Sequence, residues 1–300
     1  MATRTEDLPR PVRSRPAKSR QVNVSAVSGS RLFNRICLGV LIAVAIIWLI
    51  PLLWAIDTSL KPNSETANLP VTWWIENPTL DSYASVLQQG DIWYWYASST
   101  IIGVISVVLT VATASTAAYA LSRLRFRYRR ITLGFILAGL LIPSQVLIVP
   151  QFREMAAFGL LNTYWAVILP QVPTAIAVFV FKQFFDGLPH ELEDAARMDG
   201  AGLWRIYWTI ALPLTRAAIA AVAIFTFIWS WNDLLWPLLV LSSPEVMTIP
   251  VGLATVQGNF GIRYADTMAM ALLGGLPLVA LFLFFQRQIV EGVAGTGLKG

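Results

Sequence analysis

The chain has 300 residues, 56% of them hydrophobic and only 13% charged, with a mean hydropathy of +0.62. A water-soluble domain of this length carries about a quarter charged residues, so the composition points to lipid as the solvent and excludes an ordinary soluble enzyme. One cysteine and one histidine rule out a disulfide framework and leave too few ligands for a structural zinc site. The formal net charge of +5 is concentrated: residues 1–35 hold eight Arg or Lys against two acids, and residues 123–130 hold five Arg. Basic segments placed so are the flanks of membrane spans, and no folded basic face for nucleic acid is indicated.

Residues 1–34 combine Arg, Pro and Ser without apolar periodicity and read as a disordered basic cytoplasmic tail. A cleaved signal peptide is the competing reading. It is disfavoured because the apolar run Ile36–Ile56 is too long and carries Pro51 and Trp54 where small residues belong. Six stretches are long and apolar enough to span: about 35–57, 98–121, 131–152, 164–185, 215–241 and 267–286. Span two is rich in small residues, among them Ser98, Ser99, Gly103, Ala112, Ala114, Ser115, Ala117 and Ala118, which suits close packing in a bundle or against a second subunit. In span four, Pro170, Gln171 and Pro173 interrupt the helix, and a broken span is tolerated where its freed backbone faces protein or a wet cavity.

Loop charges set the expected orientation. The N-terminal tail, the loop with Arg123, Arg125, Arg127, Arg129 and Arg130, and the C-terminal tail belong inside. The 58–97 loop carries one Lys against Glu65, Glu76, Asp81 and Asp91, and it belongs outside. There Trp73, Trp74, Trp93 and Trp95 are expected at headgroup level. Six spans with both termini cytoplasmic satisfy every loop. The domain plan is then a tail at 1–34, an all-α six-span membrane domain at 35–290, and a Gly-rich cytoplasmic tail at 291–300.

The loop between spans four and five, residues 189–213, reads as two short helices broken at Gly200 and Gly202. Pro189 suits a helix's first turn, Glu191, Glu193 and Asp194 complement its positive end, and Gly200 supplies the terminal turn. Leu192, Ala195, Ala196 and Asp199 fall on one face of the first helix; Leu203, Ile206, Tyr207 and Ile210 give the second an apolar face. Such a pair either rests on the bilayer surface or fits a partner's groove, and physics alone does not choose.

Asp194-Ala195-Ala196, Gly200 and Ile210-Ala211-Leu212-Pro213 resemble the Glu-Ala-Ala loop of ABC importer permeases, in which Gly follows after three residues and Ile-x-Leu-Pro after nine more. The spacing fits throughout, with Asp194 in place of the leading Glu. Further along, Trp231-Asn232-Asp233-Leu234-Leu235-Trp236-Pro237-Leu238, Ile249-Pro250-Val251-Gly252-Leu253 with Gln257-Gly258, and the Gly-rich ending Gly295–Gly300 are similar to maltose-type sugar permeases.

The resemblance covers roughly residues 35–300 and implies the six-helix type I importer fold in a bacterial inner membrane. It implies a permease heterodimer with a second permease subunit, two cytoplasmic ATPase subunits and an extracytoplasmic sugar-binding protein, surrounded by membrane lipid. The loop would seat in the ATPase, with Glu193, Asp194, Ala195, Ala196, Asp199, Gly200, Leu212 and Pro213 as coupling residues. ATP and Mg would belong to the partner ATPase and no cofactor to this chain. In keeping with that, no GxxxxGK[ST] phosphate loop occurs.

For the substrate path, Trp229, Asn232, Asp233 and Trp236 follow i, i+3, i+4, i+7 spacing and are expected on one face of span five, with Gln171 of span four as a further candidate. Polar groups for hydroxyls and aromatic rings for apolar sugar faces fit that composition; interfacial anchoring is the plain alternative. Asp233 in an apolar span is costly unless it faces protein or water. Two other classes fit less well: a stand-alone secondary transporter or channel, for which no internal repeat is visible, and a membrane-embedded enzyme, for which the single His190 lies in a loop.

Overall fold

A computed structural model describes residues 31–66, 72–88, 91–259 and 263–297, all helix, turn or loop with no strand among them. The basic tail expected over 1–34 lies up to residue 30 outside the described residues, as do Leu298, Lys299 and Gly300 of the expected C-terminal tail. Contacts divide the chain after Leu52. The described part of the first unit is one apolar helix, the beginning of α1 (Arg31–Ser59), whose side chains from Ile36 to Leu53 are almost all exposed.

The second unit holds α2 (Asp81–Gln88), α3 (Asp91–Arg123), α4 (Arg129–Ala138), α5 (Ile148–Ala157), α6 (Tyr164–Gln171) and α7 (Ala175–Asp186). After these come α8 (His190–Met198), α9 (Leu203–Ile206), α10 (Arg216–Asn232), α11 (Leu235–Val240), α12 (Ile249–Asn259) and α13 (Tyr264–Gly297). Among the described residues, three helices are by themselves long and apolar enough to cross a membrane, and up to six spans result if each of three bent pairs counts as one. Helix α13 continues to Gly297, through most of the stretch expected as a tail.

Helix α3 is the axis of this unit. Its small residues Ser98, Ser99, Gly103, Ser106, Thr110, Ala114, Ser115 and Ala118 are buried, and they let neighbouring backbones come close. At Gly103 the approach is tight enough that a Cβ would lie 2.9 Å from the Phe227 ring of α10. Three apolar clusters each take residues from α3: Ala114, Ala118 and Tyr119 with Phe181 and Phe185; Ile102 with Ala166, Ile168 and Trp236; and Ile92 and Trp95 with Trp231 and Val251. The small-residue face therefore serves the chain's own bundle; Ala112 stands exposed.

Each bend has a sequence cause. Span four breaks at residues 172–174 with a 48° bend, as Pro170 and Pro173 foretell. The carbonyls freed there are taken by hydroxyls: Thr174 Oγ1 donates to Gln171 O at 3.0 Å and Thr110 Oγ1 to Val172 O at 3.5 Å. Span three, read from sequence as continuous over 131–152, bends by 94°. Pro143 forces Ile142 into extended backbone (φ −88, ψ 115) and offers no N–H to continue the helix.

Span five departs most from expectation. It is not one helix over 215–241: α10 stops at Asn232 and Asp233 is extended (φ −69, ψ 119). Pro237 explains this, since a proline cannot bond to, and clashes with, the carbonyl four residues back, here that of Asp233. Trp95 is a further correction. It is buried with its indole N–H on Pro244 O at 3.1 Å, and a Cβ on Gly252 would lie 2.2 Å from its ring, so it is core and not an interfacial anchor. Trp73, Trp74 and Trp93 are exposed.

Candidate functional site

Helix α8 begins immediately after Pro189, with Glu191 and Glu193 in its first turn and Arg197 in its last, so both ends complement the helix dipole. It ends in a left-handed glycine. Gly200 has φ +78, its N–H meets Arg197 O at 3.0 Å, and the Ala201 N–H reaches back to Ala196 O at 2.9 Å. That pair of bonds satisfies the last carbonyls of the helix and requires a residue without a Cβ penalty.

The motif residues fall on two sides. Asp194 (side chain 69% exposed), Ala195, Asp199 and Gly200 look away from the bundle, with Ala196 half-buried beside them. Two alanines and a glycine leave a surface without long side chains, which another backbone can approach closely. Glu193 is the exception: its side chain is only 5% exposed and forms an ion pair with Arg123 Nε at 3.2 Å. Its place is toward the bundle, so Glu193 holds the helix and does not present charge outward. Leu212 and Pro213 are half-buried. Pro213 lines an open groove of about 550 Å³ together with Leu192, Thr209, Ile210, Leu214 and Arg216, so the two halves of the loop meet there.

After Gly202, α9 runs into a π-helical turn, Tyr207–Ala211, and turns by 76° into α10. Of the apolar face expected here, Ile206 and Tyr207 are buried, Ile210 is half-buried and Leu203 is exposed. Trp204, Trp208 and Met198 add exposed apolar surface to the loop.

Both ends of the loop are attached to α3. Ser115 Oγ and the Tyr207 hydroxyl are 2.7 Å apart, and the Tyr119 ring packs on Phe185 and Tyr207 with centroids 5.5 and 5.2 Å away. One step further, Ser122 donates to the Asp186 carboxylate. Arg123 donates to the carbonyls of Phe185 and, at 2.7 Å, Leu188; its Nη1 also lies 2.7 Å from His190 Nδ1. In the sequence Arg123 is one of five loop charges. Nothing in its immediate context separates it from Arg125, since its partners lie more than sixty positions away.

The substrate-path candidates are not brought together on one helical face. Trp229 is 73% exposed on α10, and Asn232 spends its amide on Ile228 O at 2.8 Å. Trp236 sits beyond the break on α11, buried, with its indole N–H on Ala166 O at 2.9 Å; it is a core residue. Asp233 and Gln171 do meet: Gln171 Nε2 donates to Asp233 Oδ2 at 3.1 Å, joining the break in span four to the break in span five. Asp233 also faces the backbone N–H groups of Leu235 and Trp236 at the start of α11, while Gln171 Oε1 is buried without a partner.

Residues 109–290 match the family model described as the inner membrane component of binding-protein-dependent transport systems. The chain is 38% identical over 86% of its length to the arabinooligosaccharides transport system permease protein AraQ of Halalkalibacterium halodurans, covering 93% of that protein. It is 33% identical to the sulfoquinovosyl glycerol transport system permease protein SmoH of Agrobacterium fabrum, over 84% of this chain and 89% of the relative. With the trehalose transport system permease protein SugB of Mycobacterium tuberculosis, identity is 34% over 84% and 93%. A chain in the crystal structure of a bacterial ABC transporter that imports alginate superposes with a TM-score of 0.78, at 22% identity, over 86% of this chain and 96% of that one.

Proposed function

Since the chain belongs to the family of inner membrane components of binding-protein-dependent transport systems, we propose that this permease subunit forms half of a sugar path and is driven through loop 189–213 by a separate ATPase. It is a transport subunit of an ABC importer and not a stand-alone secondary transporter. The relatives' named solutes are glycosides and oligosaccharides, and a solute of that class is assigned here.

The observation that carries the coupling role is the exposed, small-residue face Asp194–Ala195–Gly200 on a helix whose other side is held by buried Arg123. A rigid surface helix with room for a partner's backbone suits a cleft better than a lipid surface. ATP and Mg would be bound by two copies of the ATPase, and both termini would lie on the ATPase side. A second permease subunit would complete the path, and an extracytoplasmic binding protein would deliver the sugar. Within the path, Asp233 and Gln171 are the polar pair placed to meet a hydroxyl.

Co-expression of this chain with its ATPase, second permease and binding protein, followed by sugar uptake into vesicles, tests the whole reading. ATP-dependent uptake that disappears with Ala195→Asp, while the subunit still inserts, supports it. Undiminished uptake and ATPase association in that variant would sink the coupling assignment.

A further inference from the structure

The last turn of α3 carries an arginine whose surroundings exceed what a loop charge requires. The Arg123 side chain is 1% exposed; both terminal nitrogens have polar neighbours, and Nε is held by charge alone. The Phe185 and Leu188 carbonyls accept from Nη2, His190 Nδ1 lies beside Nη1, and the Glu193 carboxylate lies beside Nε. These four residues form the corner where α7 ends and α8 begins. A positive charge there meets the carbonyl end of α7 and, at the same time, a carboxylate from the first turn of α8. Lysine supplies one point charge and could not reach carbonyls and carboxylate together.

Arg123 does not act alone. Ser115, Tyr119 and Arg123 are four residues apart along α3 and lie on one stripe. Ser115 and Tyr119 hold Tyr207, on the outgoing side of the loop, and Tyr119 also packs on Phe185, on the incoming side. The loop is thus pinned to one helix at both ends, while Asp194 to Arg205 between the pins stay largely exposed.

We propose that Arg123 is a positioning residue of the transport cycle: it locks the coupling helix to α3, so that a displacement of the loop moves α3 and not the loop alone. α3 contributes to all three apolar clusters of the second unit, and moving it therefore shifts the packing on which the path depends. This role presupposes that loop 189–213 is the coupling element. Arg123 itself is buried, so it acts through the loop and α3.

The test uses the complete importer in proteoliposomes, with sugar transported per ATP hydrolysed measured on equal amounts of assembled complex. In R123K the complex assembles and hydrolyses ATP, and transport per ATP falls at least about tenfold, as expected when a buried carboxylate and helix-end carbonyls lose the one guanidinium that reaches both. The charge-exchanged pair R123E/E193R recovers none of the carbonyl contacts and stays defective. If R123K only lowers the amount of complex and leaves transport per ATP native, Arg123 is a folding residue and the proposal fails. Should R123K give too little complex to assay, E193Q, which keeps the carbonyl contacts, is expected to lower the ratio at least threefold, and a native ratio there overturns the proposal equally. Gly200→Asp run in parallel separates the two levels. Loss of uptake in Gly200→Asp beside a native ratio in R123K discards the lock and keeps the coupling loop; native uptake in both discards the coupling loop.

Discussion

The coupling loop and the middle of spans four and five behave differently as structures and as texts. In the loop, residues 193–196 share one short helix, and of them Asp194 and Ala195 stay exposed while Glu193 turns inward. At the breaks, four residues with good helical spacing are divided: Trp229 and Asn232 on α10, Trp236 on α11, and Asp233 in the extended backbone between them. A periodicity carries meaning only while the helix that defines it persists. Pro237 ends that helix by excluding a bond to residue 233, and the spacing rule stops with it.

The contrast can be broken or sharpened by substitution. The largest effect is expected at the loop apex. Gly200→Asp places a side chain at φ +78 and a charge on the docking face; uptake should fall to background while membrane insertion, followed by immunoblot, is unchanged. Uptake above about half of the native rate would remove the loop from the mechanism.

Next comes Trp236→Ala. Its ring fills the cluster of Ile102, Met155 and Ala166, so its removal should cost about 3–5 kcal/mol of stability, seen as a lower melting temperature of the detergent-solubilised complex. A native melting temperature would return Trp236 to the path.

Asp233→Ala leaves Gln171 without its acceptor beside the breaks. The expected result is a rise of roughly tenfold in the sugar concentration for half-maximal uptake, the size of one lost hydrogen bond to a charged group. Smallest of all, Trp229→Ala and Asn232→Ala should change uptake by less than about twofold, the range of exposed positions away from packing. Equal effects at 232 and 233 would restore the single helical face that Pro237 dissolves.

Much of the fold is legible in the sequence because lipid demands apolar helical stretches, and six of them stand out along the chain, three as bent pairs. The bend at Pro173 is equally plain. The 94° bend in span three is written at Pro143, but a lone proline in a span more often kinks than turns it, so its size is not visible locally. In the site, the motif helix, the left-handed Gly200 and the exposed alanines follow from nearest-neighbour chemistry. Glu193 and Arg123 do not: they are seventy positions apart, and burial turns one of three acids in α8 inward. Which charge faces in is decided by the corner that α3 and α7 build, and no local pattern encodes it.

Cross-linking tests the central claim most directly. In a Cys37→Ser background, Ala195→Cys is placed on the exposed face of α8. The importer is co-expressed with an ATPase carrying cysteines in its permease-facing cleft, and membranes are treated with a short thiol cross-linker. A covalent permease–ATPase product that forms at residue 195, and not with cysteine at exposed Trp93 on the opposite end of α3, is the predicted result. An assembled, active importer that gives no product at residue 195 would contradict the assignment of loop 189–213 as the coupling element.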